Sequence, residues 1–177
     1  MKGKEHLLVN PDVLARTYRQ FVASVGIYCL SEKNDDLLMW SHYSDSHRGL
    51  CLQFDSSVEE TIFWEAFKII YQDEYPVVNI MDMGKADEFR KALLTKSGCW
   101  AYEQERRILK MNDEGGPGYY RFAPELLTGI ILGALITEKD KETLLHWMET
   151  YPTRVTIYQA KLHGSRYQLD LTEVIES

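Results

Sequence analysis

Apolar positions recur along this chain at two different periods, and the alternation between the periods sets out the elements. In NPDVLARTYRQFVASVG, the residues Val13, Leu14, Tyr18, Phe21 and Val22 fall at helical spacing. Asn10 offers a side-chain oxygen to the first free amides, and Pro11 stands where a missing N–H costs nothing, so a helix is expected to start there and to end at Gly26. GIYCLS, from Gly26 to Ser31, is rich in β-formers and predicts a strand. DDLLMWSHYSDSH predicts a short helix with acids in its first turn, where the macrodipole favours them. RGLCLQFD alternates, with Leu50, Leu52 and Phe54 on one face, which is a strand pattern.

The second half reads in the same way. SSVEETIFWEAF offers a serine cap followed by acids and predicts a helical turn, and FKIIY predicts a strand. DMGKADEFRKALLTKSG predicts an amphipathic helix stopped by Gly98. The stretch from Trp100 to Lys110 predicts a strand, NDEGGPG a hairpin turn, and YYRFA the returning strand. GIILGALI is apolar on both faces and predicts a central buried strand. Thr137 caps a helix over EKDKETLLHWMETY, and RVTIYQAKL and RYQLDLTEV predict two closing strands joined by the turn HGS. The total of about eight strands and about five helices, irregularly interleaved, predicts one α+β domain over residues 1–177 with a mixed or mainly antiparallel sheet.

Composition narrows the classes. At 177 residues and 45% hydrophobic, the chain can bury a full core. Its 27 acidic and 20 basic residues give a net charge of −7, which leaves no basic footprint for nucleic acid beyond a local cluster at Arg106, Arg107 and Lys110. The three cysteines, Cys29, Cys51 and Cys99, are too scattered for a disulfide framework or a zinc knuckle. Their apolar neighbours suggest small core residues in a reducing compartment, hence the cytoplasm. No apolar run suits a signal peptide or a membrane span, and the scattered histidines lack metal-ligand spacing, so neither a membrane nor a metal is expected.

Two constellations could carry chemistry. If YEQERRIL is a strand, its period of two puts Glu103, Glu105, Arg107 and Leu109 on one face. The two carboxylates then sit about 6.6 Å apart, twice the strand rise. At an effective dielectric of about 20 they repel by about 2.5 kcal/mol, so the pair matters only in a cleft, with Arg107 as the nearest offset. A carboxylate there can orient a hydroxyl or stabilise a developing cation, and the arginine can hold a phosphate or a carboxylate. The competing reading is an edge strand whose charges face water and discourage pairing. The second constellation, LLMWSHYSDSHRG, brings Trp40, His42, Tyr43, His47 and Arg48 close in sequence. His42 suits a general base or a phosphate contact. Its competing reading is a helix that packs Met39 and Trp40 into the core and leaves His42 half exposed.

The run from Gly26 to Asp55 resembles the central signature of the bacterial domain-of-unknown-function family 2971. The matching residues are Ser31, Asp36, Leu38, Trp40, Tyr43, Gly49 and Phe54. A late Glu-x-Glu-x-Arg strand (Glu103, Glu105, Arg107) and an apolar strand with Ile130, Ile131 and Gly133 extend the resemblance, which makes 26–136 a family-like core. It is flanked by an N-terminal helix over 1–25 and by a helix and two strands over 137–177. The family's layout is similar to ADP-ribosyltransferases. That similarity implies Glu105 as the catalytic glutamate and Glu103 as the residue orienting the acceptor. Ligand-binding roles are expected for Arg107, Trp40, His42, Tyr43 and Ser31; no cofactor is expected outside the enzyme alternative below, under which NAD is the one implied.

The family's usual N-terminal strand unit is not visible before Gly26. The leading expectation is therefore a shortened, non-enzymatic binding or interaction module. It would bind a protein partner, or self-associate through a strand edge left open, in a mobile-element or phage-defence setting implied by the resemblance. The alternative is an NAD-dependent ADP-ribosyltransferase or glycohydrolase-like enzyme using the Glu-x-Glu-x-Arg strand.

Overall fold

The computed structural model of the chain describes residues 12, 16, 19–20, 22–77 and 86–174. The described residues at 12, 16, 19, 20, 22 and 23 are helical, and the rest of the expected N-terminal helix lies outside them. The strands are β1 (Gly26–Ser31), β2 (Leu50–Phe54), β3 (Phe67–Lys68), β4 (Ile70–Gln72), β5 (Thr95–Ser97), β6 (Glu105–Lys110), β7 (Leu127–Leu132), β8 (Thr156–Leu162) and β9 (Leu169–Glu173). Among the described residues after Gly26 the helices are α1 (Leu37–Tyr43), α2 (Ala86–Leu93) and α3 (Glu138–Met148), with three short 3-10 turns between β5 and β7. The α+β class and the mixed pairing are as expected, but the strands fall into three small sheets ordered β1-β6-β3, β2-β7-β8-β9 and β4-β5. Two of the pairings, β7 with β8 and β4 with β5, are parallel.

The most deeply buried strand is β7, an inner strand of the four-stranded sheet. Ile130, Ile131 and Leu132 are buried to within 1% of their surface, so both faces of this strand are covered. On one face α3 brings Leu144 against Leu127, Ile130, Leu132 and Ile157. On the other, α1 brings Trp40 against Ile131, Ala160 and Leu169. Each such side chain contributes about 1.5–3 kcal/mol by leaving water. The β1-β6-β3 sheet has a core of its own, Val25, Ile69, Leu93, Leu94 and Leu109 on one face and Phe63, Ala66, Ile108 and Leu126 on the other.

Local chemistry fixes the orientation of α1. Asp36 Oδ1 accepts from the amides of Leu38 (2.9 Å) and Met39 (3.1 Å), which satisfies two of the free donors at the helix start. After the helix, Asp45, Ser46 and His47 all take left-handed backbone angles (φ 47, 52 and 68°). This reversed turn delivers the His47 carbonyl to the Leu135 amide and the Gly49 carbonyl to the Gly133 amide, both at 2.9 Å. Gly133 is glycine for that reason: a Cβ there would stand 2.7 Å from the Gly49 oxygen and closer still to the His47 carbonyl.

Several expected elements differ. The strand expected from Trp100 starts only at Glu105, because Gly98–Glu103 winds into a 3-10 turn that ends at a left-handed Gln104 (φ 45°). The returning strand expected over residues 119–123 does not form, since β6 already has β1 on one edge and β3 on the other. The helix expected up to Gly98 stops at Leu93, because Thr95–Ser97 pairs with β4. The stretch expected as a helical turn around 58–65 is a run of turns with Glu60 left-handed (φ 61°). Cys29 and Cys99 are exposed rather than in the core, and Cys51 is half-buried. Among the described residues no helix is long and apolar enough to cross a membrane.

Candidate functional site

The Glu-x-Glu-x-Arg stretch builds an ionic array on one face of the β1-β6-β3 sheet. Glu103 ends the 3-10 turn, Gln104 reverses the backbone, and Glu105 and Arg107 stand two apart on β6. The left-handed Gln104 breaks the simple alternation, yet both carboxylates still converge on one cation, Lys96 of β5. The Lys96 ammonium donates to Glu103 Oε2, and to Glu105 Oε2 at 2.9 Å. Arg107 grips Glu105 with two donors, Nε to Oε1 at 2.6 Å and Nη2 to Oε2 at 3.2 Å, while its Nη1 donates to the Leu93 carbonyl. The Tyr43 hydroxyl donates to Glu103 Oε1 at 2.8 Å, and the Glu105 amide donates to the Tyr71 hydroxyl at 2.7 Å. The Ser31 hydroxyl donates to the Glu103 carbonyl at 2.7 Å.

Both glutamates are buried, with 2% of Glu103 and 6% of Glu105 exposed. Burial alone would raise the Glu105 carboxyl, but hydrogen bonds from Arg107, Lys96 and the Cys29 thiol outweigh it and hold the group at about 2. Burial likewise opposes the charge on Lys96, and its bonds to Glu103 and Glu105 outweigh that and raise it. Tyr43 is raised chiefly because its hydroxyl is bound to Glu103. Two acids facing two bases make a neutral cluster, the arrangement that a buried charge requires.

Aromatic rings form the rim of this array. The Lys96 ammonium lies 5.1 Å from the centre of the Trp100 ring, close enough for a cation–π contact. His42 is exposed, sits edge-on to Trp100 and Tyr102, and has its Nδ1 3.2 Å from the Tyr102 hydroxyl. Of the residues singled out in the sequence, Glu103, Glu105, Arg107 and Tyr43 meet in one array, Ser31 joins through the backbone, and His42 lies at the rim. Trp40 does not join them. Its ring is buried in the core and its indole N–H donates to the Asn34 carbonyl at 2.8 Å. Four residues escaped the sequence reading: Lys96, Tyr71, Trp100 and Tyr102. Lys96 was hidden because it reads as the basic end of a helix, and Tyr71 because only tertiary pairing brings it near Glu105.

Among the described residues no three His, Cys, Asp or Glu side chains are grouped to hold a metal ion. The segment that supplies most of α1, β2 to β5 and most of β6 is also the one recognised by comparison. The model of DUF2971, a protein of unknown function, matches residues 39–108. The DUF2971 match covers less than half of the 177-residue chain, and it contains Trp40, His42, Tyr43, Lys96, Glu103, Glu105 and Arg107. It is narrower than the resemblance expected over 26–136, leaving out Ser31 and the β7 residues Ile130 and Ile131. No curated protein and no solved structure matches the chain. The DUF2971 match does not extend to any likeness with ADP-ribosyltransferases.

Proposed function

We propose that the chain is a non-enzymatic binding module, in which the array of Lys96, Glu103, Glu105 and Arg107 braces the fold instead of performing catalysis. One observation carries this reading: every carboxylate oxygen of the two buried glutamates accepts a hydrogen bond from within the chain. A glutamate that stabilises an oxocarbenium-like transition state must present negative charge to the substrate. Glu105 instead faces Arg107 and Lys96 at 2.6 and 2.9 Å. A site that reads NAD would have to displace one of these internal cations first. The residues as arranged therefore do not fit NAD.

The alternative of an NAD-dependent transferase or glycohydrolase draws on the exposed His42 and the half-buried rings of Trp100 and Tyr102 beside the two acids, since flat rings stack on heterocycles. Labelled NAD decides between the two readings. The expected result is no release of nicotinamide by the native chain above the level of a Glu105→Ala variant. Turnover that disappears in the variant would overturn the binding module. The same reading keeps the expectation of self-association through a sheet edge, where β1 presents Ile27 and Tyr28 at 40% and 51% exposure. Light scattering across a concentration series reads it, and a monomer at every concentration removes it.

A further inference from the structure

The face of the β1-β6-β3 sheet opposite the ionic array holds a cleft of about 480 Å³, within the range of small-molecule sites. Its floor is aromatic. Phe54 and Phe63 stack with ring centres 4.3 Å apart, and Phe122 stands edge-on to both at 5.2 and 5.6 Å. Tyr28 and Ile108, cross-strand partners on β1 and β6, line one wall. The rim is built rather than incidental. Gly115 and Gly116 are left-handed (φ 106 and 61°), and the Tyr120 hydroxyl donates to the Gly116 carbonyl at 2.5 Å. The loop closes directly on β1, where a Cβ on Gly26 would stand 2.7 Å from the Gly116 oxygen.

Charge indicates the occupant. Among the described residues that line the cleft, Lys110 carries the only formal charge, in a chain whose net charge is −7. Its ammonium is paired at 2.9 Å with Glu65, whose side chain is 53% exposed. The Glu65 end of this pair is open to water while the lysine end is mostly covered, so a ligand anion in the cleft can compete with Glu65 for the ammonium. Stacked and edge-on rings favour a flat aromatic body over a flexible chain.

We propose that this cleft binds a small aromatic carboxylate, its ring against Tyr28, Phe54 and Phe122 and its anion on Lys110. This gives the binding module of the preceding section its ligand class and rests on that reading. The test uses the native chain with 8-anilinonaphthalene-1-sulfonate as a fluorescent probe, and biphenyl-4-carboxylate and biphenyl-4-carboxamide as competitors. We expect saturable probe binding, displaced by the carboxylate at a concentration about tenfold lower than the amide, the weight of one charge-assisted hydrogen bond.

Lys110→Met should abolish that preference, whereas Glu65→Gln should strengthen carboxylate binding severalfold by freeing Lys110. A purely structural ion pair would not produce opposite signs from its two ends. Phe122→Ala, on a ring 38% exposed, should weaken both competitors, with thermal unfolding confirming that each variant folds. Equal displacement by carboxylate and amide, binding insensitive to Lys110→Met and Phe122→Ala, or displacement by an aromatic-rich peptide alone would each overturn the proposal. None of these outcomes touches the NAD assay, and NAD turnover leaves the probe experiment intact, so the two readings fail separately.

Discussion

Replacing Glu105 with glutamine should reveal how much the ionic array contributes. The glutamine keeps the volume but loses the charge, and in either amide orientation its NH2 group faces a donor, because both oxygens of Glu105 accept from Arg107 or Lys96. The native carboxyl is held at about 2 against its ordinary value of 4.5. At about 1.4 kcal/mol per pKa unit, that is about 3 kcal/mol of stability from this one group. A depressed acid contributes fully above its unfolded value and loses the contribution as pH falls through the folded value. The gap between native and variant chains should therefore be full at pH 7, less than half of that at pH 3, and nearly closed near pH 2. Urea unfolding followed by tryptophan fluorescence at pH 7, 4.5 and 3 measures it. In a chain of this size the neutral-pH deficit corresponds to about 6–12 °C in Tm. A deficit below about 1 kcal/mol at pH 7, or one that does not shrink with acid, would refute the array as a brace.

Three further outcomes follow from the same structure. Lys96→Met removes the cation shared by two buried acids and should cost about 3–5 kcal/mol in urea unfolding, with much of the loss recovered in the Lys96→Met, Glu103→Gln double variant; no recovery would mean that Lys96 acts through packing alone. Gly133→Ala drives a methyl group into the His47 and Gly49 carbonyls and should cost about 1–3 kcal/mol or more by thermal unfolding, so a neutral result would show that the reversed turn after α1 is free to move. Asp36→Ala uncaps α1 and should cost about 1 kcal/mol, and an unchanged Tm would remove the cap from the account.

Much of the fold was legible because local pattern and tertiary outcome agree. β7 announced itself as an apolar run on both faces, and it is one of the two inner strands of the four-stranded sheet. β2 and α3 were equally clear, the first from alternation and the second from Thr137, whose hydroxyl accepts from the Asp140 amide at 3.1 Å. The errors share one cause, which is that long-range pairing overrides local preference. Residues 119–123 look like a strand, but β6 had no free edge to offer them. Thr95–Ser97 looks like the end of a helix, but β4 recruits it.

The candidate site was legible in part. The Glu-x-Glu-x-Arg spacing pointed to a cluster, and its three side chains do meet. The mechanism of meeting was not visible, because no periodicity encodes a left-handed Gln104, and Lys96 reaches the cluster from a different strand. Trp40 packs into the core, as the plainer of the two readings had it, with its indole N–H on the Asn34 carbonyl. The aromatic cleft was not visible at all: its phenylalanines come from Phe54, Phe63 and Phe122, which only the folded chain brings together.

The two-faced sheet has a consequence for folding fidelity. Along β6, Glu105, Arg107 and Leu109 serve the ionic side, while Arg106, Ile108 and Lys110 face the other way. A misalignment of β6 by one position would exchange the two sets, stranding Ile108 among carboxylates and pushing Glu105 and Arg107 toward phenylalanine rings. Hydrophobic matching alone penalises such an error weakly, because β6 carries apolar residues on both sides. The buried charges penalise it more, since Glu105 would leave Lys96 behind on β5 and carry only Arg107, its neighbour on the same strand, into a dry setting. The array thus works as a proofreading device for strand alignment: it makes the wrong pairing intolerable more than it makes the right one tight.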